Sequence, residues 1–414
     1  MTKGNAGSTY QPPSGGRDLL PLDVVQKRWI EDRLEEVFQQ WGYHRIITPT
    51  VETMDTLMAG GAIERVEVIE LQIGQVGEQR LGLRPELTAS IARAAVTRLA
   101  SVTYPQRLYY NANVFRRSAK GAQGGQQEYH QAGIELLGSS GLMADAEAVL
   151  LMADCLRAVN LSDANIVLGE AALTYSLLAP FPESIRETVR QNIAELNRVG
   201  LETLPLSEEL SAIALQLMDL RGTPTNVLKT LANDFALNEH QQTLVDRLKR
   251  LIELLSSRNS PPVTLDLSLI RPFDYYTGIV FEVVSNQHSQ LLGQGGRYDD
   301  LLAVYDPNPE SKGFPGIGFV LNIDQLHQEL VSSSELPSET PPTDWLIVPK
   351  GEAAASAALD YAQKARASAN IVRVELSLDF EQSVDEVRAI ARKRNISRIA
   401  WISDQVLPEI EIVQ

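Results

Sequence analysis

Cysteine is nearly absent from this chain: Cys155 is the only one in 414 residues. That excludes disulfide frameworks and cysteine-rich metal sites, and a reducing, cytoplasmic setting is the simplest expectation. Histidine is also scarce. His44, His130, His240, His288 and His327 are scattered, with no ligand spacing such as HExxH, so no structural metal is expected. No apolar run approaches the ~20 residues of a membrane span, and no signal-peptide pattern opens the chain. Cations are outnumbered, with 37 Lys and Arg against 53 Asp and Glu, for a net charge of −16. Neutralising phosphates needs Lys and Arg, so this balance argues against a broad nucleic-acid surface. It leaves room for a local basic patch.

What is present is enough chain for two or three domains with proper cores. Residues 1–14 are small, polar and Pro-rich and read as a disordered tail. The main domain is expected over 15–331. From about 182 to 261 the composition turns helical and charged, broken at Gly200, Gly222-Thr223-Pro224 and Asn259-Ser260-Pro261, as in an inserted helical segment. Residues 332–342 form a Ser/Pro/Glu linker. Beyond it, 343–414 alternates strand and helix: 345–349, 351–368, 371–374, 381–394 and 399–402, a small α/β unit of βαβαβ type.

Four stretches carry candidate chemistry. The first is Ile270 to Glu282, in which Arg271, Asp274, Tyr275, Tyr276 and Gly278 lead into the strand Ile279-Val280-Phe281. A guanidinium for a carboxylate and phenol rings for packing could build a strand-edge site for a small zwitterion. A core strand with a Tyr-Tyr edge is the plainer reading. The second is Leu81 to Ala89, a strand that breaks at Pro85 into a helix from Thr88. Glu86 and Thr88 either cap that helix or face a ligand. The third runs from Arg107 to Gly138, two apolar strands around a Gly/Gln/Lys loop, a hairpin by pattern. Gln131 and Glu135 share strand parity and therefore one face, where an amide and a carboxylate suit an ammonium and an imidazole N–H. Polar pairing on a solvated face is the alternative. His130 has the opposite parity and reads as a packed residue. The fourth is Gly293 to Asp300, a glycine run ahead of Arg297, which suits close backbone approach to a ligand or a structural arginine.

Together these stretches resemble the histidyl-tRNA synthetases, a class II synthetase family, over most of residues 16–330. Ile270–Glu282 resembles the histidine-specific signature, and Leu81–Ala89 the LRPEGTA segment. Tyr129–Glu135 resembles the FHQxGxE part of motif 2, and Gly293–Asp300 a GGGRYDGL turn and helix start. The helical stretch 24–41, Gly42 and the strand Arg45–Pro49 resemble motif 1, the family's dimer element. The resemblance implies an α+β fold, an antiparallel sheet flanked by helices, with a helical insertion and a C-terminal unit like a shortened anticodon-binding domain. It also implies roles. Glu86, Thr88 and Gln131 would hold the α-ammonium of histidine, Glu135 and Tyr276 the imidazole, and Arg271 the carboxylate, with Tyr275 packed beside the pocket.

The match fails on the nucleotide side. Motif 2 keeps Phe115-Arg116-Arg117, but Ser118 stands where active enzymes carry Glu. The loop 124–127 reads Gly-Gly-Gln-Gln, without the usual arginines. Motif 3, Pro315–Leu326, ends Asp324-Gln325 in place of Glu-Arg, and glutamine cannot replace a planar guanidinium. The C-terminal unit holds 11 acids and 9 bases, whereas a tRNA-reading domain is expected to be basic. This pattern is similar to the regulatory subunits of ATP phosphoribosyltransferase. The resemblance implies a non-catalytic partner for a short-form catalytic chain in the first step of histidine biosynthesis. L-histidine would be its feedback effector, and it would need no cofactor, tRNA or membrane. A divergent synthetase and a free-standing histidine- or RNA-sensing module are the alternatives.

Overall fold

The structure is a computed structural model that describes the chain apart from residues 1–9, 62, 73–78, 118–124, 258–260, 270–274, 309, 311–312, 333–334, 369–370, 404–406 and 414. The chain divides into two compact units, 1–337 and 338–414.

Six strands form the centre of the first unit: β1 (Gln106–Phe115), β2 (Glu128–Leu137), β3 (Asn165–Glu170), β4 (Ile279–Val284), β5 (Leu291–Arg297) and β6 (Gly316–Asn322). Their order is β1-β2-β6-β5-β4-β3, and every neighbouring pair is antiparallel. Short edge strands extend the sheet. His44–Arg45 runs parallel beside β1, Val263–Asp266 runs parallel beside β3, and Arg221–Gly222 closes that end. The expected antiparallel α+β sheet is therefore present. The β1–β2 hairpin is in register from Gln106↔Leu137 to Phe115↔Glu128.

Helices cover the sheet: α1 (Pro21–Gln40), α2 (Thr88–Thr97), α3 (Leu142–Ala158), α4 (Glu239–Ser256) and α5 (Ile323–Val331). Pro21 sits in the first turn of α1, where its missing N–H costs nothing. Gly42, at φ +79°, turns the chain out of that helix. The buried face of α1 is Lys27, Ile30, Leu34, Val37 and Phe38. Helical periodicity would put Val25 on that face; it is only half-buried, and Lys27 takes the interior place. Ten residues of α3 are buried, four of them alanine, which lets this helix lie close between α1 and α4. Five helices fill the inserted stretch: Glu183–Ala194, Arg198–Glu202, Glu208–Asp219, Pro224–Asp234 and α4.

Two local expectations are corrected. The motif 1 strand is shorter than 45–49: only His44–Arg45 pairs, and a separate strand, Val51–Thr53, joins a three-stranded sheet with Leu81–Leu83 and Glu70–Leu71. The run Gly293–Gly296 is mid-strand in β5, not a turn. Glycine is weak in strands by itself, but here neighbouring side chains occupy the space that its own would take.

In the second unit, Trp345–Pro349 lies between Val374–Leu376 and Arg398–Ile402, all parallel, with helices Ala355–Arg366 and Val384–Lys393. The strand expected at 371–374 is displaced to 374–376. Glu409–Ile412 adds an antiparallel fourth strand that periodicity did not anticipate.

Glu170, at the end of β3, is buried, and burial pushes its carboxyl up to about 8, with Asp145 adding to the rise and Arg247 opposing it. The folded protein thus holds a proton here that the unfolded chain releases near pH 4.5. Stability conferred by this group is full below about pH 4.5 and is lost as pH rises through about 8. Urea unfolding from pH 5 to 8 should show a downward trend in the parent that is flattened in Glu170→Gln; equal slopes would contradict the assignment.

Candidate functional site

The antiparallel register builds the floor of a cavity. One row across the sheet reads Tyr110, Gly133, Val320, Gln294, Glu282; the next reads Leu108, Glu135, Gly318, Gly296, Val280. Alternate residues of a strand share a face, so both rows point the same way. Glycines leave room for the longer side chains beside them. A Cβ on Gly318 would lie 2.0 Å from Oε2 of Glu135, and one on Gly296 would lie 2.7 Å from the Tyr276 ring. The N-terminus of α2 supplies Glu86 and Thr88, and the approach to β4 supplies Tyr275 and Tyr276.

Of the residues expected from sequence, Glu86, Thr88, Gln131, Glu135, Tyr275 and Tyr276 all line this one cavity. Arg271 lies outside the described residues. The cavity also takes in Tyr110, Arg116, Gln294 and Tyr298. Arg116 belongs to the Phe115-Arg116-Arg117 part of motif 2. The other three were missed, although parity with Gly133 and Gly296 could have found Tyr110 and Gln294. Tyr298 is adjacent to Arg297, which drew attention away from it.

The polar groups of the cavity satisfy one another. Glu86 accepts the N–H groups of Thr88 and Ala89 at 2.5 and 2.9 Å, so it does cap α2 while facing the cavity. Thr88 Oγ1 donates to Glu135 at 2.7 Å, and the Tyr298 hydroxyl donates to the other oxygen of Glu135. Burial pushes the Glu135 carboxyl up to about 8, against the pull of the two hydroxyl donors. Burial also raises Glu86, with the helix N–H groups and Arg116 opposing. Tyr275 tilts onto Tyr276 at 4.6 Å between ring centres and meets Tyr298 edge-on at 5.8 Å. The remaining free space is about 40 Å³, room for only a few waters at ~10–15 Å³ each. Anything as large as an amino acid would have to displace side chains to fit.

The nucleotide half is different. Ser118 and Gly124 lie outside the described residues. Gln127 N donates to Gly15 O at 2.9 Å. Gln126 Nε2 donates to Asp324 at 3.1 Å. Gln325 does not line the cavity; its N–H joins that of Asp324 on Asn322 Oδ1, the cap of α5. Asp324 is buried and is the acceptor for Arg17, Lys27, Gln126 and the His130 N–H. His130 lies on the opposite sheet face from Gln131, its imidazole 3.4 Å from Glu31 and held by burial below its usual pKa. It borders a wider cleft of about 550 Å³ between residues 15–19, α1 and the β1–β2 strands. Among the described residues no group of three or more His, Cys, Asp and Glu could hold a metal ion.

Comparison with known proteins places these features. The histidyl-tRNA synthetase family matches residues 15–326. An ATP phosphoribosyltransferase regulatory subunit from Nostoc sp. is 55% identical over 406 residues, covering 98% of this chain and 99% of that one. A protein of the same description from Picosynechococcus sp. is 52% identical, covering 97% and 99%. Among solved structures, one described as an ATP phosphoribosyltransferase regulatory subunit/histidyl-tRNA synthetase from Bacillus halodurans is 30% identical. Its TM-score is 0.79, over 95% of this chain and 98% of that one. A histidyl-tRNA synthetase from Nostoc sp., 20% identical with a TM-score of 0.75 over 94% and 91%, shares the fold. With a synthetase-like sheet and near-full-length identity to these subunits, the chain belongs to the ATP phosphoribosyltransferase regulatory subunit family.

Proposed function

We propose that this chain partners a short-form catalytic ATP phosphoribosyltransferase chain in the first step of histidine biosynthesis, and that it binds L-histidine and carries feedback inhibition. The observation that carries the reading is the gathering of Glu86, Thr88, Gln131, Glu135, Tyr275 and Tyr276 around one cavity whose lining excludes Gln325. Such a cavity can bind an amino acid without activating it. The α-ammonium takes the free lone pairs of Glu86, with Thr88 and Gln131. The imidazole takes Glu135 and Tyr276, the carboxylate takes Arg271, and Tyr275 packs alongside. Histidine then shifts the complex toward whichever state binds it better, by no more than its differential affinity. The protein works in the cytoplasm as a hetro-oligomer with its catalytic partner. It also self-associates through the motif 1 element, where Ile47 is 82% exposed at the His44–Arg45 sheet edge. It has no role in tRNA binding.

Charge gives the test its signature. With its folded pKa at about 8, Glu135 holds a proton at pH 7 in the empty cavity. An imidazolium stabilises the carboxylate and expels that proton. Calorimetry at about pH 5.5, below the ordinary imidazole pKa of about 6.5, in buffers of different ionisation enthalpy should therefore show proton release on histidine binding. Glu135→Gln should weaken binding about 10–100-fold, as for loss of a hydrogen bond to a charged group, and abolish most of that release. Arg271→Ala should weaken binding without unfolding. Unchanged affinity in both variants would refute the pocket assignment. Arg116 in the cavity favours a residual synthetase as the second reading; histidine-dependent ATP–pyrophosphate exchange would reveal it.

A further inference from the structure

Behind the cavity floor runs a buried chain of charges that the binding roles do not use. Arg297, at the end of β5, is fully buried, and its Nε and Nη2 reach Asp145 of α3 at 2.7 and 2.6 Å. Its Nη1 donates to Ser139 O and to Asp299. The other oxygen of Asp145 is taken by Arg247 of α4, on the inserted helical segment, at 2.5 Å. Arg247 is the only member of the Arg297–Asp145–Arg247 run with substantial exposure, its side chain 34% accessible.

The inner end of this chain lies under the ligand cavity. Gly278 rests on the Arg297 side chain, so closely that a Cβ there would be 2.9 Å from Arg297 Cδ. The Arg297 carbonyl accepts the Thr277 N–H at 2.8 Å, next to Tyr276, and Thr277 Oγ1 accepts the Asp299 N–H at 2.9 Å. The residue after Arg297 is Tyr298, the hydroxyl donor to Glu135. Arg297 thus sets the height of both the Tyr275–Gly278 segment and Tyr298.

We propose that Arg247 is a positioning residue: through Asp145 and Arg297 it holds Tyr276 and Tyr298 in place, so that the inserted helical segment controls the affinity of the cavity. With Arg247 present, both oxygens of Asp145 are fixed and Arg297 has one seat. Without it, Asp145 keeps a free oxygen in a buried site, and the Arg297 fork can turn to share it. A ligand or partner that draws α4 away from α3 loosens the cavity by this route. The inference rests on histidine as the ligand of the cavity only for its affinity readout.

The test compares Arg247→Met, Arg247→Lys and, as a control on the same segment, Arg198→Met, which breaks the exposed Arg198–Asp219 pair. All are made in the full chain. Amide hydrogen exchange of the ligand-free proteins is read over 275–284 and 291–298, and histidine affinity is read by calorimetry. Arg247→Met should speed exchange in both segments and weaken histidine binding about 10-fold or more, within the usual range of couplings between sites. Arg247→Lys should recover most of both, and Arg198→Met should change neither. Unchanged exchange in Arg247→Met overturns the coupling, as does faster exchange spread evenly over the whole unit. If the parent binds no histidine while exchange responds as described, the coupling stands and the effector reading fails.

Discussion

Asp324→Ala is expected to destabilise the first unit by about 3–5 kcal/mol, the range for removing one partner of a buried ion pair. The side chains of Asp324 and Lys27 are only 2% and 5% exposed, so the variant strands a buried ammonium with no counter-charge. It also orphans the His130 N–H, which donates to Asp324 at 2.9 Å, while the Gln126 amide loses its 3.1 Å contact but keeps the Glu128 carbonyl. Arg17 contributes less, because its half-exposed side chain can turn to water. The melting temperature of this unit should fall on the order of 5–10 °C. A second change, Lys27→Met, should recover part of the loss, since the pair couples directly. If Asp324→Ala melts with the parent, the node is not buried as described. The sign with pH follows too. Asp324 is held below the usual carboxylate range, with the Lys27, His130 and Arg17 contacts outweighing burial. Its stabilisation is therefore present above the ordinary aspartate pKa and lost as pH falls below it.

The second large effect concerns ligand rather than stability. Gly318→Ala should abolish the histidine response, with affinity reduced about 100-fold or more. The added Cβ would sit 2.0 Å from Glu135 Oε2 and 2.5 Å from the Ile134 carbonyl. The carboxyl must then swing into a cavity with only about 40 Å³ free. The Ile134 carbonyl is main chain in the neighbouring strand and can give little. Overpacking of this kind costs about 1–3 kcal/mol, so the variant should still fold, with its circular dichroism intact and its melting temperature only modestly lower. A folded Gly318→Ala that binds histidine like the parent would show that the ligand does not lie against Glu135.

How much of this was legible in the sequence depends on the range of the interaction. The β1–β2 hairpin and α1 read directly, because strand alternation and helix periodicity are local. Gln131 and Glu135 could be put on one face by counting, and the register bears that out. Lys27 could not be placed: pattern rules send lysine to solvent, and its reason for being inside, Asp324, is 297 residues away. The glycine run of β5 read as a turn for a similar reason. What fills the space over Gly296 is Tyr276, from a different strand approach. Tyr298 and the Arg297–Asp145–Arg247 chain were invisible because each contact crosses between elements. The strand Glu409–Ile412 was missed because its four residues are too few for alternation to stand out.

The altered nucleotide half gains physical content from Asp324. In motif 3 the sequence read Asp324-Gln325 as the loss of an arginine. In the fold, Asp324 ties the N-terminal segment, α1 and the end of the motif 2 loop to the start of α5. Gln126 and Asp324, both in the altered motifs, are engaged with one another.

The central claim is best tested by assaying a short-form ATP phosphoribosyltransferase from the same organism with and without this chain, across a histidine titration. The account predicts that activity depends on this chain and falls as histidine rises, and that Glu135→Gln shifts the inhibition to higher histidine. Activity indifferent to the chain, or inhibition by histidine that Glu135→Gln leaves unmoved, would contradict it.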